Sequence, residues 1–318
     1  MTVLTHRTAA TAGVPDRPEA FPARLTTTVP REYVHRASLA EVFLTGCRRT
    51  DGTRFALTGQ WPRAHTFFTS ADGLSHDPMQ AAETIRQVGL FLAHAQFGVP
   101  LDHQFLLHDM EYSTDPGRLL VGRGPTNLDL EADCTDLVWK GNRLARFAMH
   151  VRIGREGHLA AAGSGRFTCV APATYRRLRG EARRASGPPA ARPGPVTPRL
   201  VGRTLPRDVV LARGGRPGSW LLSADARHPV LFDHVGDHVP GMVLVEAARQ
   251  AACALVAPRT FAPTGATTVF HRYVEYDAPC RIDAALAPRA AGRPARVAVT
   301  GWQDGHQVFG TELTGRLS

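Results

Sequence analysis

The chain has 318 residues, enough for two domains that each bury a core of their own. Hydrophobic residues make up 43% and charged residues 21% of the chain, as in soluble globular proteins, and no apolar run reaches the roughly 18 residues of a membrane span. The formal net charge is +10, yet aromatic residues are sparse at 7% and no helix-turn-helix, zinc-finger or RNP-like pattern occurs, so binding to nucleic acid is not indicated.

The first 29 residues are predicted to form an irregular arm. They contain neither a continuous apolar stretch nor the charged start of a secretory signal, so we expect a cytoplasmic protein. The five cysteines are odd in number, widely separated and without a CxxC pair, which argues against a disulfide framework and against a zinc site. We therefore predict no metal and no other cofactor.

Two units of similar sequence follow the arm, over residues 30–175 and 200–318. The segment between them, 176–199, is rich in Arg, Pro and Gly, holds seven Arg against one Glu, and is predicted to be a flexible linker. The repeat is visible at a constant offset of 163, which pairs His65 with His228, Met79 with Met242, Glu83 with Glu246, Arg86 with Arg249, Gln87 with Gln250, Pro100 with Pro263 and His108 with His271. A repeat of this length is a whole domain, and an extra segment of the first unit is placed around residues 113–134.

Each unit is predicted to contain one long helix followed by antiparallel strands. The helical segments, 79–97 and 242–257, are rich in Ala, lack internal Pro and follow Pro78 and Pro240, at positions where a helix tolerates proline. Alternating or β-branched runs predict strands at 104–113, 143–153, 159–170, 266–278, 296–302 and 307–317. A helix that is apolar on nearly all faces and wrapped by a sheet defines an α+β unit.

Both predicted helices are largely apolar but contain charged residues. Glu246 and Arg249 lie three residues apart on one helical face, and Glu83 and Arg86 repeat that geometry. Burial of an ionised group in apolar surroundings carries a desolvation cost of several kcal/mol unless the group is paired or faces a cavity. These residues therefore either form a stabilising ion pair or belong to a site.

If these residues form a site, each turn of the second helix would have its own role in the reaction. The free amides of Gly241 and Met242 at the helix start would accept a thioester carbonyl or its oxyanion. Glu246, in an apolar wall, would have a raised pKa suited to a general base, and Arg249 would hold a phosphate or a carboxylate.

Three histidines precede this helix, at positions 228, 234 and 238, together with Asp233 and Asp237. Their spacing within a loop fits no metal pattern. One of them remains a candidate second acid–base group, and His234 is the one placed at the substrate.

The segment "VPGMVLVEAARQ" resembles the central-helix motif of hot-dog-fold enzymes that act on acyl thioesters, notably the hydroxyacyl carrier-protein dehydratases. In that family the catalytic histidine lies fourteen residues before the glutamate, and this position is Phe232 here. The nearest candidate, His234, is displaced by two residues, which argues against dehydration.

A second resemblance spans almost the whole chain. The segments "VPREYVHRASLAEVFLTG", "HDPMQAAETIRQVGLFLAH" and "DHVPGMVLVEAARQAA" together resemble the A-factor biosynthesis (AfsA-type) family. The resemblance implies a tandem hot-dog fold that condenses a β-ketoacyl thioester, held on acyl carrier protein, with dihydroxyacetone phosphate. The product would be a butenolide phosphate precursor of γ-butyrolactone, furan or butenolide signals that control antibiotic production.

The same resemblance implies the site residues Glu83, Glu246 and Arg249. Arg86, which repeats the position of Arg249 in the first unit, is predicted to lie beside the substrate. Glu246 would take the proton of the acceptor hydroxyl, and Arg249 would hold the phosphate or the developing oxyanion. Glu83 would serve the later ring closure or only shape the pocket. No membrane and no nucleic acid partner is implied.

Two alternatives remain open at this point. A dehydratase or thioesterase of the same fold would convert an acyl thioester without a phosphate acceptor. A non-catalytic sensor would bind an acyl or lactone ligand, and the substitution Glu246→Gln would spare its function.

Overall fold

The computed structural model describes residues 26–180, 193–233, 236–288 and 292–318. Three α-helices lie in these ranges, α1 Pro78–Phe91, α2 Pro172–Arg179 and α3 Gly241–Val256. The strands of the first unit are β1 Leu44–Asp51, β2 Arg54–Trp61, β3 Gln104–Thr114, β4 Thr126–Lys140, β5 Arg143–Arg155 and β6 His158–Val170. Those of the second are β7 Leu211–Arg213, β8 Ser219–Leu222, β9 Phe261–Phe270, β10 Arg281–Leu286, β11 Ala295–Gln303 and β12 His306–Leu317.

The strands form one twelve-stranded antiparallel sheet in the order β1-β2-β4-β5-β6-β3-β9-β12-β11-β10-β8-β7. The two units meet where β3 pairs with β9, with Tyr112 opposite Ala266. Helix α1 packs on the first half of the sheet and α3 on the second, and both helices are buried on nearly every face. The predicted α+β arrangement, a long helix wrapped by an antiparallel sheet and repeated in tandem, is confirmed.

The two long helices begin in different ways. The Asp77 side chain accepts the Met79 N–H at 2.9 Å, and Pro78 occupies the first turn of α1. In α3 the capping position is Pro240, and within the described residues no side chain caps the helix start. The end predicted for the first helix, residue 97, lies one residue beyond a π-helical turn, Leu92–Gln96, that continues α1.

Several strands were not predicted. They are β1, β2, β4, β7, β8 and β10, and the extra segment around 113–134 contains a 3-10 turn, Pro116–Arg118, and the first part of β4. The strand predicted over 266–278 is displaced, since β9 ends at Phe270. The His271 and Arg272 N–H groups both donate to the Val308 carbonyl, at 2.8 and 3.1 Å, and the chain leaves the sheet after these contacts.

The predicted linker overlaps folded structure at both of its ends. Residues 176–179 belong to α2, and Arg179 is buried although the Arg-rich composition suggested an exposed linker. At the other end the Val196 N–H donates to the Leu211 carbonyl at 2.9 Å. We therefore propose units that span 26–180 and 193–318, while 181–192 and residues 1–25 of the predicted arm lie outside the described residues. No described helix is long and apolar enough to cross a membrane.

Candidate active site

Glu246 is fully buried at the centre of a polar cluster on α3. Arg249 donates to both carboxylate oxygens, at 2.8 and 2.7 Å, and Gln250 donates to Oε1 at 2.6 Å. The i, i+3 and i+4 spacing of these residues places them on one helical face. The predicted pairing of Glu246 with Arg249 is therefore present in the structure.

A second guanidinium, from Arg203, completes this cluster. Its Nε and Nη2 each donate to one oxygen of Glu246 at 2.8 Å, so the carboxylate lies between two bidentate arginines. Arg203 follows a 3-10 turn, Pro198–Val201, and the left-handed Gly202 at φ 68° turns the chain toward α3. Its Nη1 also lies 3.3 Å from the Asp77 carboxylate of the first unit.

The first unit repeats the cluster around Glu83. Arg86 donates to its two oxygens at 2.9 and 2.8 Å, Gln87 donates to Oε1 at 2.8 Å, and Arg36 lies 2.7 Å from the same oxygen. Arg36 follows a 3-10 turn that ends at the left-handed His35, as Arg203 does after Gly202. Glu83 and Arg86 thus occupy the positions that the repeat predicted.

Arg36 and Arg203 were missed by the sequence interpretation, although a signal for them exists. The segments that carry them repeat at an offset of 167, which pairs Val29 with Val196, Val34 with Val201, Arg36 with Arg203 and Leu44 with Leu211. The helices repeat at 163, so the change of four residues in the offset hid the relationship. A search for more than one offset would have found both arginines.

Burial acts to raise the pKa of Glu246, but attraction to Arg203 and Arg249 and the hydrogen bonds that they donate outweigh it. The pKa of Glu246 therefore lies well below its usual range. The same balance, with Arg36 and Arg86 as partners, lowers the pKa of Glu83 to about 2. The expectation of a raised pKa for Glu246 is wrong, because it took account of the apolar helix face and not of Arg203.

The uncapped start of α3 opens on a cavity of about 290 Å³. Gly241 and Leu244 form its helical side, and apolar residues of β3 and of the segment around the end of β9 form much of the rest. Its polar lining is cationic or aromatic and includes no acidic residue: His108, His238, His271, Arg272 and Tyr273. An anion or a developing oxyanion would meet the positive end of the α3 dipole here.

The predicted substrate residues thus separate into two places. Gly241 lines the cavity, and Met242 is buried in the first turn of the same helix. Glu246 and Arg249 lie further along α3 in the ion-pair cluster, and Glu246 has no exposed surface. His234 lies outside the described residues.

The other loop histidines have distinct roles. His228 Nδ1 accepts the N–H groups of Val230 and Leu231 at 3.2 and 3.0 Å, and Asp208 contacts its Nε2, so this side chain holds a turn. His238 instead lines the α3 cavity, and its Nδ1 lies 2.7 Å from the Asp237 carboxylate. Donation from Nδ1 to Asp237 leaves Nε2 as the proton acceptor of the ring.

Comparison with known proteins gives one family match. The profile of the A-factor biosynthesis hotdog domain matches residues 18–171 and 185–317. A protein of Streptomyces virginiae named 2-oxo-3-(phosphooxy)propyl 3-oxoalkanoate synthase is 50% identical over 285 residues, which cover 90% of this chain and 96% of that protein. A protein of the same name from Streptomyces griseus is 41% identical over 89% of this chain and 94% of its own length.

Among solved structures, a 12:0-ACP thioesterase from Umbellularia californica superposes with a TM-score of 0.49 and 11% identity. The superposition covers 84% of this chain and 95% of that one.

Proposed function

The chain belongs to the A-factor biosynthesis hotdog family, and from that premise we propose that it is a 2-oxo-3-(phosphooxy)propyl 3-oxoalkanoate synthase. The observation that carries the proposal is the 50% identity to the Streptomyces virginiae synthase over nearly the full length of both chains. The substrates are a β-ketoacyl thioester, carried by acyl carrier protein, and dihydroxyacetone phosphate.

The reaction is an acyl transfer. The hydroxyl oxygen of dihydroxyacetone phosphate forms an ester bond with the acyl carbonyl carbon, the carbon–sulfur bond of the thioester breaks, and the hydroxyl proton passes to the departing thiolate. The carbon between the two carbonyls of the new ester is acidic. Its attack on the ketone of the acceptor, with loss of water, gives the butenolide phosphate precursor of γ-butyrolactone-type signals.

We place the thioester in the cavity at the start of α3. The first-turn amides, led by Gly241 and Met242, point along the helix axis toward it and carry no side-chain cap within the described residues. Such donors stabilise the oxyanion of an acyl-transfer intermediate, and loss of one donor costs on the order of 100-fold in rate. The apolar cavity wall suits the acyl chain.

The base that accepts the hydroxyl proton is His238 in this proposal. It lines the same cavity, and Asp237 orients its ring. Burial acts to raise the pKa of Asp237, but hydrogen bonds from His238 and Tyr175 and attraction to Arg179 keep it well below its usual range. Asp237 therefore stays ionised and stabilises the imidazolium that forms.

The family resemblance still supports Glu246, Arg249 and Glu83 as site residues, but with a changed role for Glu246. A buried carboxylate that holds two guanidinium groups is a weak base, so Glu246 positions Arg249 and Arg203 instead of taking a proton. Arg249 is buried in the same cluster and does not line the cavity, so its proposed role as partner of the phosphate or oxyanion rests on the family resemblance alone. Glu83 and Arg86 shape the corresponding region of the first unit.

The test is mass spectrometry of the purified protein with a β-ketoacyl carrier protein or a short thioester mimic, with and without dihydroxyacetone phosphate. The proposal expects thiol release that requires the acceptor, together with a phosphorylated acyl ester. Release without the acceptor would indicate a thioesterase or dehydratase. Binding without turnover across several chain lengths would indicate a sensor.

A further inference from the structure

The short helix α2 has one buried face and one exposed basic face. Tyr175 and Arg179, four residues apart, are buried. Arg176 and Arg177 are exposed, and Leu178 beside them keeps 60% of its surface exposed. Helical geometry places Arg177 opposite the buried face, with Arg176 on one side of it and Leu178 on the other. The positive charge of the two exposed arginines suits an acidic partner.

The buried face of α2 is fixed to the second unit by several charged contacts. Arg179 donates to both oxygens of Glu275 at 2.6 and 2.7 Å, and to the Asp237 carboxylate and carbonyl at 3.2 and 3.0 Å. The Tyr175 hydroxyl donates to Asp237 at 2.7 Å. The helix therefore has a defined position, although its composition resembles that of a linker.

These anchors connect α2 directly to the rim of the α3 cavity. Asp237, held by α2, orients His238, and the Arg179 guanidinium lies 4.3 Å from the ring centroid of Tyr273. Both His238 and Tyr273 line the cavity. Arg272, which also lines it, is exposed and adds a further cation at this side of the molecule.

We propose that the exposed face of α2, formed by Arg176, Arg177 and Leu178, is the docking surface for the acidic acyl carrier protein that delivers the thioester. This inference rests on the proposed function, since it names the surface that brings the substrate to that site. Carrier protein docked here would lie next to the cavity in which its thioester reacts. The charge of the surface complements an acidic partner and gives a role to Arg176 and Arg177, which the reaction chemistry does not use.

The test is charge reversal at the two exposed arginines, Arg176→Glu together with Arg177→Glu. The matched control is Arg259→Glu with Arg316→Glu, because these exposed arginines flank the opposite end of β9 from the cavity. Steady-state kinetics are measured with two substrates, a β-ketoacyl carrier protein and a short thioester mimic. Thermal melting verifies that all variants are folded, and the milder Arg177→Ala provides a second variant.

The expected result is a KM for the carrier-bound substrate that rises about 10-fold or more, which corresponds to about 1.4 kcal/mol, with unchanged kinetics on the mimic. The control pair should match the wild type on both substrates. Raising the ionic strength should raise the carrier-protein KM of the wild type and have less effect on the reversed variant.

An equal loss on both thioesters, or no change on either, would overturn the docking assignment. If the wild type converts neither thioester, the proposed function fails, and a titration of labelled acyl carrier protein then decides the docking separately. Equal Kd values of the wild type and the charge-reversed variant for the carrier protein would overturn the docking assignment. Preferential binding of duplex DNA over carrier protein by the wild type would do so as well.

Discussion

Arg203 Nη1 donates to the carbonyl oxygen of Phe67 at 2.7 Å, across the junction of the two units, while its Nε and Nη2 hold Glu246. The first unit makes the equivalent contact to the second, because Arg36 donates to the Val230 carbonyl at 2.8 Å while it also binds Glu83. Each buried carboxylate therefore positions the arginine that ties its unit to the other. The two ion-pair clusters are therefore part of the interface as well as part of the candidate site.

Replacing Arg203 with methionine should destabilise the protein strongly. The substitution keeps much of the side-chain length but leaves Glu246 buried with one guanidinium instead of two, and breaking a buried ion pair from one side costs about 3–5 kcal/mol. Urea denaturation measures the change in the free energy of unfolding. Arg296→Met removes an exposed pair with Glu312 and should have little effect; equal stability of both variants would contradict the expectation.

The substitutions Glu246→Gln and Glu83→Gln should separate stability from activity. Both carboxylates are fully buried in equivalent clusters, so both variants should lose comparable stability. Ester formation should fall more in Glu246→Gln, because its cluster lies on the helix whose start forms the cavity. Product is quantified by mass spectrometry below the melting temperature of each variant. An equal loss of activity in the two variants would place the site in both units.

His238→Gln should reduce ester formation by about 100-fold to 10,000-fold, the range that a general base contributes, with little effect on folding. The side chain is only partly buried, and its polar partner is Asp237. His228→Gln is the contrasting variant, since it removes an acceptor for two backbone N–H groups and should lower stability. Full activity in folded His238→Gln would remove this residue from the mechanism.

Pro240→Asp tests the open start of α3. The backbone at Pro240, φ −59° and ψ 142°, nearly matches that of Asp77, φ −69° and ψ 136°, so an aspartate can adopt the same capping geometry. The gain from a cap, about 1 kcal/mol, and the loss of proline rigidity should largely offset each other. Activity should fall at least about 10-fold, because the new carboxylate competes for the amides that bind the oxyanion. Unimpaired activity with unchanged stability would show that these amides do not bind substrate.

Stability should fall in acid as Glu83 becomes protonated. The folded-state pKa of about 2 lies below the ordinary value of 4.5, so the contribution of Glu83 is complete above pH 4.5 and is lost as the pH falls toward 2. Melting temperatures of the wild type should therefore decline through this range. Glu83→Gln should decline less steeply, and parallel curves for the two proteins would contradict the assignment.

The internal repeat predicted much of the architecture. Helices α1 and α3 and the buried pairs Glu83–Arg86 and Glu246–Arg249 follow from local spacing, which a sequence displays directly. Arg203 reaches Glu246 from 43 positions earlier in the chain, and the pairing of Tyr112 with Ala266 joins residues that are still further apart. The repeat at an offset of 167 marks Arg36 and Arg203 as equivalent residues, but it does not show which carboxylate each one contacts. The pKa values of Glu83 and Glu246 therefore required the fold.

Composition was a less reliable guide than spacing. The run that begins at Arg176 has the arginine content of a linker, yet Arg179 is buried against Asp237 and Glu275. An arginine can be buried where the fold supplies acidic partners, and the partners of Arg179 lie in distant segments of the chain. His238 was similarly ambiguous among the loop histidines until the structure placed it in the cavity wall.

Asp77 caps the start of α1 whereas Pro240 provides no side-chain cap for α3, and this asymmetry bears on the benefit of joining two units in one chain. A homodimer built from one such unit carries identical residues at both helix starts, so a mutation that opens one start opens the other and destabilises both. Fusion of two copies into one polypeptide lets each copy diverge under its own selection. One copy can then keep a closed, stabilising helix start while the other exposes its amides, a division of labour that a symmetric ancestor could not encode.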